Sequence, residues 1–430
     1  MNTPPGPVPA AYPRRVKDRF PLFAALGVLF ILVQDALARQ GAVQAGVTVL
    51  IAALAALMLV LPGPERVGPR SVRVPLPLVL FVAFAAVRLA TVPSKQGLQN
   101  MLVWFLFPAA MALVARRTSD GTPDLVYRWW KPATLFAATV YGVLVLVHQT
   151  GYAGTLYSAR GMGWILLIAM SFVVGAQMWK SSVLYWPVWY LVLIIGTTLT
   201  RTAGFLALLS ATGIAFLSRR GRLTFLRFAA LLGVMGLVGY VAVTQIAVVR
   251  ERFTVGDQAV QFQGTGLNTS GRLRLWSATW HAIPEHPWIG HGPGQAQYFI
   301  GRRFVTIDHP HNEYLRLLYD TGWIGLVLWS LGMLLLLRGC WRRTRKATTP
   351  VRRGVHLAGV LAILDFLLGS VTDNLTVGVA FVLICATVVG MSLGLPEGPS
   401  GDGAVEPQDE TGAPLPRAAG RWISAPPTGS

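Results

Sequence analysis

Charge is scarce in this chain: only 13% of its 430 residues are Asp, Glu, Lys or Arg, against roughly 25% in soluble domains. That shortage excludes an ordinary water-soluble fold. Cysteine is nearly absent, with only Cys340 and Cys385, which excludes a disulfide framework and a Cys-based metal site. No glycine precedes any of the five lysines, so there is no phosphate-binding GxxxxGK[ST] loop and no sign of ATP use. No Asp-x-Asp pair occurs, which removes the usual carboxylate grip on a metal-bound sugar nucleotide. The energy of any reaction must then come from a substrate that arrives already activated.

What is plentiful is apolar sequence. Hydrophobic residues make up 53% of the chain, and runs of spanning length recur throughout, as in a polytopic helical membrane protein. Twelve spans are read at about 20–38, 41–61, 75–91, 98–115, 132–149, 161–179, 182–200, 202–218, 225–249, 313–337, 354–372 and 375–394. Alternate connections hold 23 Lys and Arg, whereas the opposite short connections hold only Arg39, Lys95, Arg160 and Arg201. The positive-inside rule then puts both termini in the cytoplasm and leaves one long external loop. The net charge of +19 reflects this topology and implies no nucleic-acid partner.

The expected fold class is an all-α polytopic membrane protein, with about 12 transmembrane helices and one large external loop containing short helices. Its divisions are a cytoplasmic N-terminal tail at 1–19, nine spans over 20–249, the loop at 250–312, three spans over 313–394, and a disordered cytoplasmic tail at 395–430. Ala36-Leu37-Ala38 gives the first span some likeness to a cleavable signal peptide. An uncleaved first span is the expectation.

The external loop carries Arg250, Arg252, Arg272, Arg274, Arg302 and Arg303, although topology should deplete it of arginine. Arginine suits bidentate binding of phosphate oxygens. Arg272 to Ile283 reads as a short helix on which Arg272, Trp276 and Trp280 share a face; headgroup contact by an interfacial helix is the structural alternative. The Gly/Pro run from Pro287 to Gly294 offers backbone N–H groups for close approach to a ligand. Arg201 lies in a connection so short that it is practically in the membrane, where charges are costly and usually functional. Arg88 and Asp365 are also intramembrane ionisable groups; they either pair with each other or line a substrate cavity. Asp373 sits near an outer end, where it contacts interface water.

The most telling segment is His309-Pro310-His311-Asn312-Glu313, entering an apolar helix that carries Gly322-Trp323-Ile324-Gly325-Leu326. Histidine is the natural general base near neutral pH. Asn312 can orient a hydroxyl or cap the following helix. Zinc is disfavoured because no HExxH or Cys/His framework accompanies His309-x-His311. No metal and no cofactor are expected.

His311-Asn312 followed by Gly322-x-x-Gly325-Leu326 resembles the histidine motif of the O-antigen ligase/polymerase superfamily. Ser270-Gly271-Arg272, Trp276, His286-Pro287 and Gly290-x-Gly292-x-Gly294 resemble its large-loop signature, and Thr200-Arg201-Thr202-Ala203-Gly204 its Ser/Thr-Arg turn. The likeness covers roughly 195–335. It implies a metal-independent glycosyltransferase of the bacterial inner membrane, with a periplasmic active site. Such an enzyme moves a glycan from undecaprenyl pyrophosphate to a hydroxyl acceptor, a glycolipid such as lipid A-core or another glycan. By the same resemblance Arg201 and Arg272 bind the donor pyrophosphate and His311 activates the acceptor. Arg274, Arg302 and Arg303 are further donor-binding candidates, and Asn312, His309 and Arg88 supporting ones. Leu326-Val327 stands where many ligases have a threonine pair, so a polymerase remains the alternative to a ligase. From another class, the rival is a lipid-linked oligosaccharide flippase, which should spread polar groups over mid-span positions and show internal repeats.

Overall fold

The computed structural model describes residues 74–148, 159–180, 185–218, 260–262, 265–267, 269–304 and 307–396, with isolated helical positions between 226 and 251. The first two expected spans and both tails lie outside the described residues, and the ninth span mostly does. Among the described residues, six continuous helices precede the loop: α1 (Leu76–Thr91), α2 (Lys95–Arg117), α3 (Thr122–His148), α4 (Ala159–Ala176), α5 (Trp186–Thr197) and α6 (Arg201–Ser218). The loop holds a short antiparallel hairpin, β1 (Val260–Phe262) and β2 (Thr265–Leu267), with Val260 opposite Leu267. Two short helices follow, α7 (Arg272–Ala282) and α8 (Gln295–Arg303). The chain then forms α9 (Glu313–Lys346), α10 (Pro350–Gly369) and α11 (Val379–Gly394).

Among the described residues, four helices are long and apolar enough to cross a membrane: Lys95–Arg117, Thr122–Val147, Ala159–Ala176 and Glu313–Lys346. Leu76–Thr91, Trp186–Thr197 and Val379–Gly394 are shorter apolar helices. The described residues are thus helical apart from turns and the small hairpin, which the sequence reading did not foresee. Helix starts follow local chemistry. Ser94 caps α2 by accepting from the Gly97 amide at 2.9 Å, and Thr349 with Pro350 at the first position opens α10.

α4 is the centre of the packing. Its residues from Met162 through Ala176 are all buried, so it is apolar on every face, as expected of a helix enclosed by others. α10 packs against it at Gly175 and Gly354, where either added Cβ would meet the other's backbone. At the Arg-rich end, Arg352 forms a two-pronged ion pair with Asp120, both bonds at 2.9 Å. That pair ties α10 to the turn between α2 and α3.

Candidate active site

The site is built where the loop enters α9. Asn312 is the N-cap, its side chain accepting from the Leu315 amide at 3.0 Å. The Glu313 amide donates to the Ser370 carbonyl at 2.8 Å, and the Trp276 indole of α7 donates to the Pro310 carbonyl at 2.9 Å. Between these anchors His311 adopts φ 51°, a left-handed conformation uncommon for a residue with a side chain. These three contacts fix the backbone on either side of His311.

That imidazole meets two groups from distant parts of the chain. His311 Nδ1 lies 3.3 Å from Asp373 Oδ1. The Arg160 Nη1, on α4, lies 3.3 Å from Nδ1 and 3.4 Å from Nε2. Asp373 also accepts from the Trp164 indole at 2.9 Å and from the Asn374 amide at 3.0 Å, and Arg160 Nε is 3.6 Å from it. Burial alone would raise the Asp373 carboxyl, but its hydrogen bond with His311 and the Arg160 charge hold it at about 2. An ionised carboxylate only accepts, so it orients the ring with Nδ1–H toward Asp373 and makes Nε2 the basic nitrogen, which here faces the Arg160 guanidinium at 3.4 Å.

Beneath this pair a buried polar network holds the first turns of α9. Glu313 and Arg316 are paired and fully buried. Thr376 donates to Glu313 at 2.6 Å and accepts from the Trp104 indole of α2 at 3.0 Å. Asp320, also fully buried, accepts from the amides of Gly294 at 3.0 Å and Ala296 at 2.7 Å. A carboxylate from α9 therefore caps the N-terminus of α8.

The Gly/Pro run has a different role from the one expected. α9 is kinked at Gly322 (φ 65°, ψ −172°), and the run docks into the break. His291 and Gly292 donate to the carbonyls of Tyr319 and Asp320, each at 2.9 Å. Trp323 and Ile324 donate to the carbonyls of Pro287 and Trp288 at 2.9 and 3.2 Å. The amides of His291, Gly292 and Gly294 are taken up by α9 itself rather than held out for a ligand. Arg88 completes the clamp, donating to the carbonyls of Ile289 at 3.1 Å and Gly290 at 3.0 Å. It does not pair with Asp365, whose carboxylate instead accepts from Ser171 at 2.9 Å and Ser210 at 3.2 Å.

The other expected residues are distributed as follows. Arg201 opens α6, and the next residue, Thr202, accepts from Thr372 at 2.9 Å, one position before Asp373. Arg272 opens α7 one turn before Trp276, so both arginines stem from elements joined to the His311 surroundings. Arg274 is exposed. Arg302 and Arg303 are exposed at the end of α8, with Arg303 over the Phe299 ring at 4.5 Å. His309 Nε2 is 3.2 Å from Gln297 Nε2, and its Nδ1 is 3.5 Å from Asn374 Nδ2. Among the described residues no group of three or more His, Cys, Asp or Glu is placed to hold a metal ion.

Sequence reasoning missed Arg160 and Asp373 as site residues. The signal for Arg160 was present, since it is one of four basic residues in connections otherwise cleared of them. Asp373 gave no motif-level signal.

Comparison with known proteins bears on the middle of this arrangement. Residues 186–330 match the family model described as O-antigen ligase, about a third of the chain. Over 65 residues the chain is 35% identical to a Pseudomonas aeruginosa protein named O-antigen ligase. That match covers 15% of this chain and 16% of that protein's length. The segment similar to the O-antigen ligase model includes Arg201, Arg272, the Gly/Pro run, His311 and Gly322. Arg160 and Asp373 lie outside it.

Proposed function

We propose, from the premise that 186–330 carries an O-antigen ligase domain, that the chain is a metal-independent glycosyltransferase of the bacterial inner membrane. Its donor is a glycan on undecaprenyl pyrophosphate and its acceptor a hydroxyl of lipid A-core, reached from the periplasmic face. Both termini are cytoplasmic in this reading. The observation that carries it is the His311–Asp373 contact of 3.3 Å, on a helix entry fixed from three sides, with Arg160 against the same ring.

His311 Nε2 takes the proton of the acceptor hydroxyl as its oxygen attacks the anomeric carbon. The new carbon–oxygen bond forms as the bond from that carbon to the pyrophosphate oxygen breaks, and both electrons leave with undecaprenyl pyrophosphate. Arg160, Arg201 and Arg272 stabilise the charge that develops on that leaving group. In this reading the carboxylate at His311 is engaged on Nδ1 and serves as no covalent nucleophile, so the displacement is single and inverts the anomeric carbon.

A polymerase of the same superfamily differs only in its acceptor, a second lipid-linked glycan, and Leu326-Val327 keeps that reading in play. The deciding experiment uses purified protein in proteoliposomes with an undecaprenyl-pyrophosphate glycan, lipid A-core and a chelator, without nucleotide. Glycan on lipid A-core, lost in His311→Ala, supports the ligase. Lengthened donor with unmodified lipid A-core means polymerase. Donor crossing between leaflets without a covalent product means a flippase and sinks the enzyme reading.

A further inference from the structure

Next to the His311–Asp373 pair lies a second polar cluster, drawn from four elements. Asn100 of α2 donates to Gln297 Oε1 of α8 at 3.2 Å. Gln297 Nε2 is 3.2 Å from His309 Nε2, and His309 Nδ1 is 3.5 Å from Asn374 Nδ2. Asn374 directly follows Asp373, and His309 stands two residues before His311. Asn100 and Asn374 are 2% and 4% exposed.

The hydrogen bonding in this cluster does not close. Burial lowers the His309 imidazole to about 4, so near neutral pH it has one N–H and one lone pair. Amide nitrogens nevertheless face both ring nitrogens. Turning Gln297 and Asn100 together would keep their mutual bond and give ring Nε2 an acceptor, but it leaves the Asn374 end unchanged. Turning Asn374 would give the ring an acceptor and leave the amide nitrogen where its oxygen had been. In its present orientation Asn374 Oδ1 is buried and meets no protein partner, so either way one end of this amide is unsatisfied. Gln96 Oε1 is in the same condition, one turn before Asn100 on the same face of α2. Buried polar atoms without partners are costly and rare. Asn374 Oδ1, at one end of the amide–imidazole chain, and Gln96 Oε1, one turn from Asn100, are both acceptors and call for a ligand that donates.

We propose that Asn100, Gln297, His309, Asn374 and Gln96 form a subsite for an uncharged sugar ring, binding its hydroxyl or acetamido groups beside His311. Amides and neutral imidazole each offer a donor and an acceptor, which matches a hydroxyl. The cluster contains no cation to hold a phosphate. The inference rests on the glycosyltransferase reading and deepens it, because a ring held here has a reacting atom near His311. The sugar belongs either to the donor or to the acceptor.

The test measures binding to full-length protein in nanodiscs with three probes. These are undecaprenyl pyrophosphate, the same lipid bearing one N-acetylglucosamine, and a water-soluble, deacylated core oligosaccharide. Gln297→Ala and Asn374→Ala are expected to leave binding of the bare lipid unchanged and to weaken one sugar probe by about five- to tenfold. Weakening of the sugar-bearing lipid assigns the subsite to the donor; weakening of the oligosaccharide assigns it to the acceptor. Unchanged binding of both sugar probes overturns the subsite and means that water fills the cluster. Equal weakening of all three probes also overturns it, as general damage to the site. Wild-type protein that ignores both lipids refutes the donor chemistry, while the oligosaccharide still reads the subsite separately.

Discussion

His311 Nδ1 and Asp373 Oδ1 stand 3.3 Å apart although 62 residues separate them in the chain. The carboxylate decides which ring nitrogen carries the proton, and its low pKa of about 2 keeps it able to do so across the physiological range. Asp373→Asn retains size and hydrogen-bonding capacity but permits the wrong tautomer. The expected result is a fall in kcat of about 10²- to 10⁴-fold with little change in KM for the donor and little loss of thermal stability. An unchanged kcat would remove Asp373 from the mechanism.

The clamp at Gly322 makes a second prediction. Its backbone is in a region open essentially to glycine alone, and an added Cβ would fall within 2.5 Å of the Ile289 nitrogen. Gly322→Ala should cost about 2–4 kcal/mol, seen as a lowered Tm in detergent. Gly301, exposed near the end of α8, has nothing within 4 Å of such a Cβ. Gly301→Ala should be neutral or slightly stabilising. Equal effects of the two substitutions would mean that the loop does not dock into the kink.

How much of this was legible in the sequence varied with the range of the interaction. Asn312 was readable as a cap because its partner, the Leu315 amide, is three residues away. The helices from Leu76 to Gly394 follow from apolar runs, and nine of the expected spans each have a helix at their place. Gly290, Gly292 and Gly322 were visible as a motif, but their meaning was not. A backbone ladder between a loop and a kinked helix leaves no periodicity. Arg88 and Asp365 were expected either to pair or to line a substrate cavity, yet Arg88 finds loop carbonyls and Asp365 finds two serines. Hydroxyl and carbonyl partners carry no charge pattern by which a sequence could reveal them.

His309 predicts the response of stability to acid. Burial, aided by the nearby Arg316 and His311 and opposed by Asp308 and Asp373, lowers it to about 4 from an ordinary 6.5. Between those values the unfolded chain binds a proton that the folded chain does not. Stability from this group is therefore complete above pH 6.5 and lost progressively as pH falls toward 4, by up to about 1.4 kcal/mol per unit. Tm measured from pH 7 to 4.5 should fall more steeply for wild type than for His309→Gln. Parallel curves would show that the imidazole is not the group responsible.

The last prediction concerns how the site is held together from below. Asp365 of α10 accepts from Ser171 of α4 and Ser210 of α6, and those helices carry Arg160 and Arg201 while α10 leads into Asp373. One carboxylate thus links the three helices that bring two arginines and the His311 partner together. Asp365→Asn keeps the shape and one acceptor, so near-normal stability and activity are expected. Asp365→Leu removes both acceptors. Ser171 has a fallback in the Leu167 carbonyl of its own helix at 3.5 Å, which limits the loss to about 1–3 kcal/mol. Because the helices then shift relative to one another, kcat should fall by more than that stability loss would predict, and Asn at the same position should restore it. A Leu variant with reduced Tm but full kcat would make Asp365 a stabilising contact only, with the arginines positioned by other means.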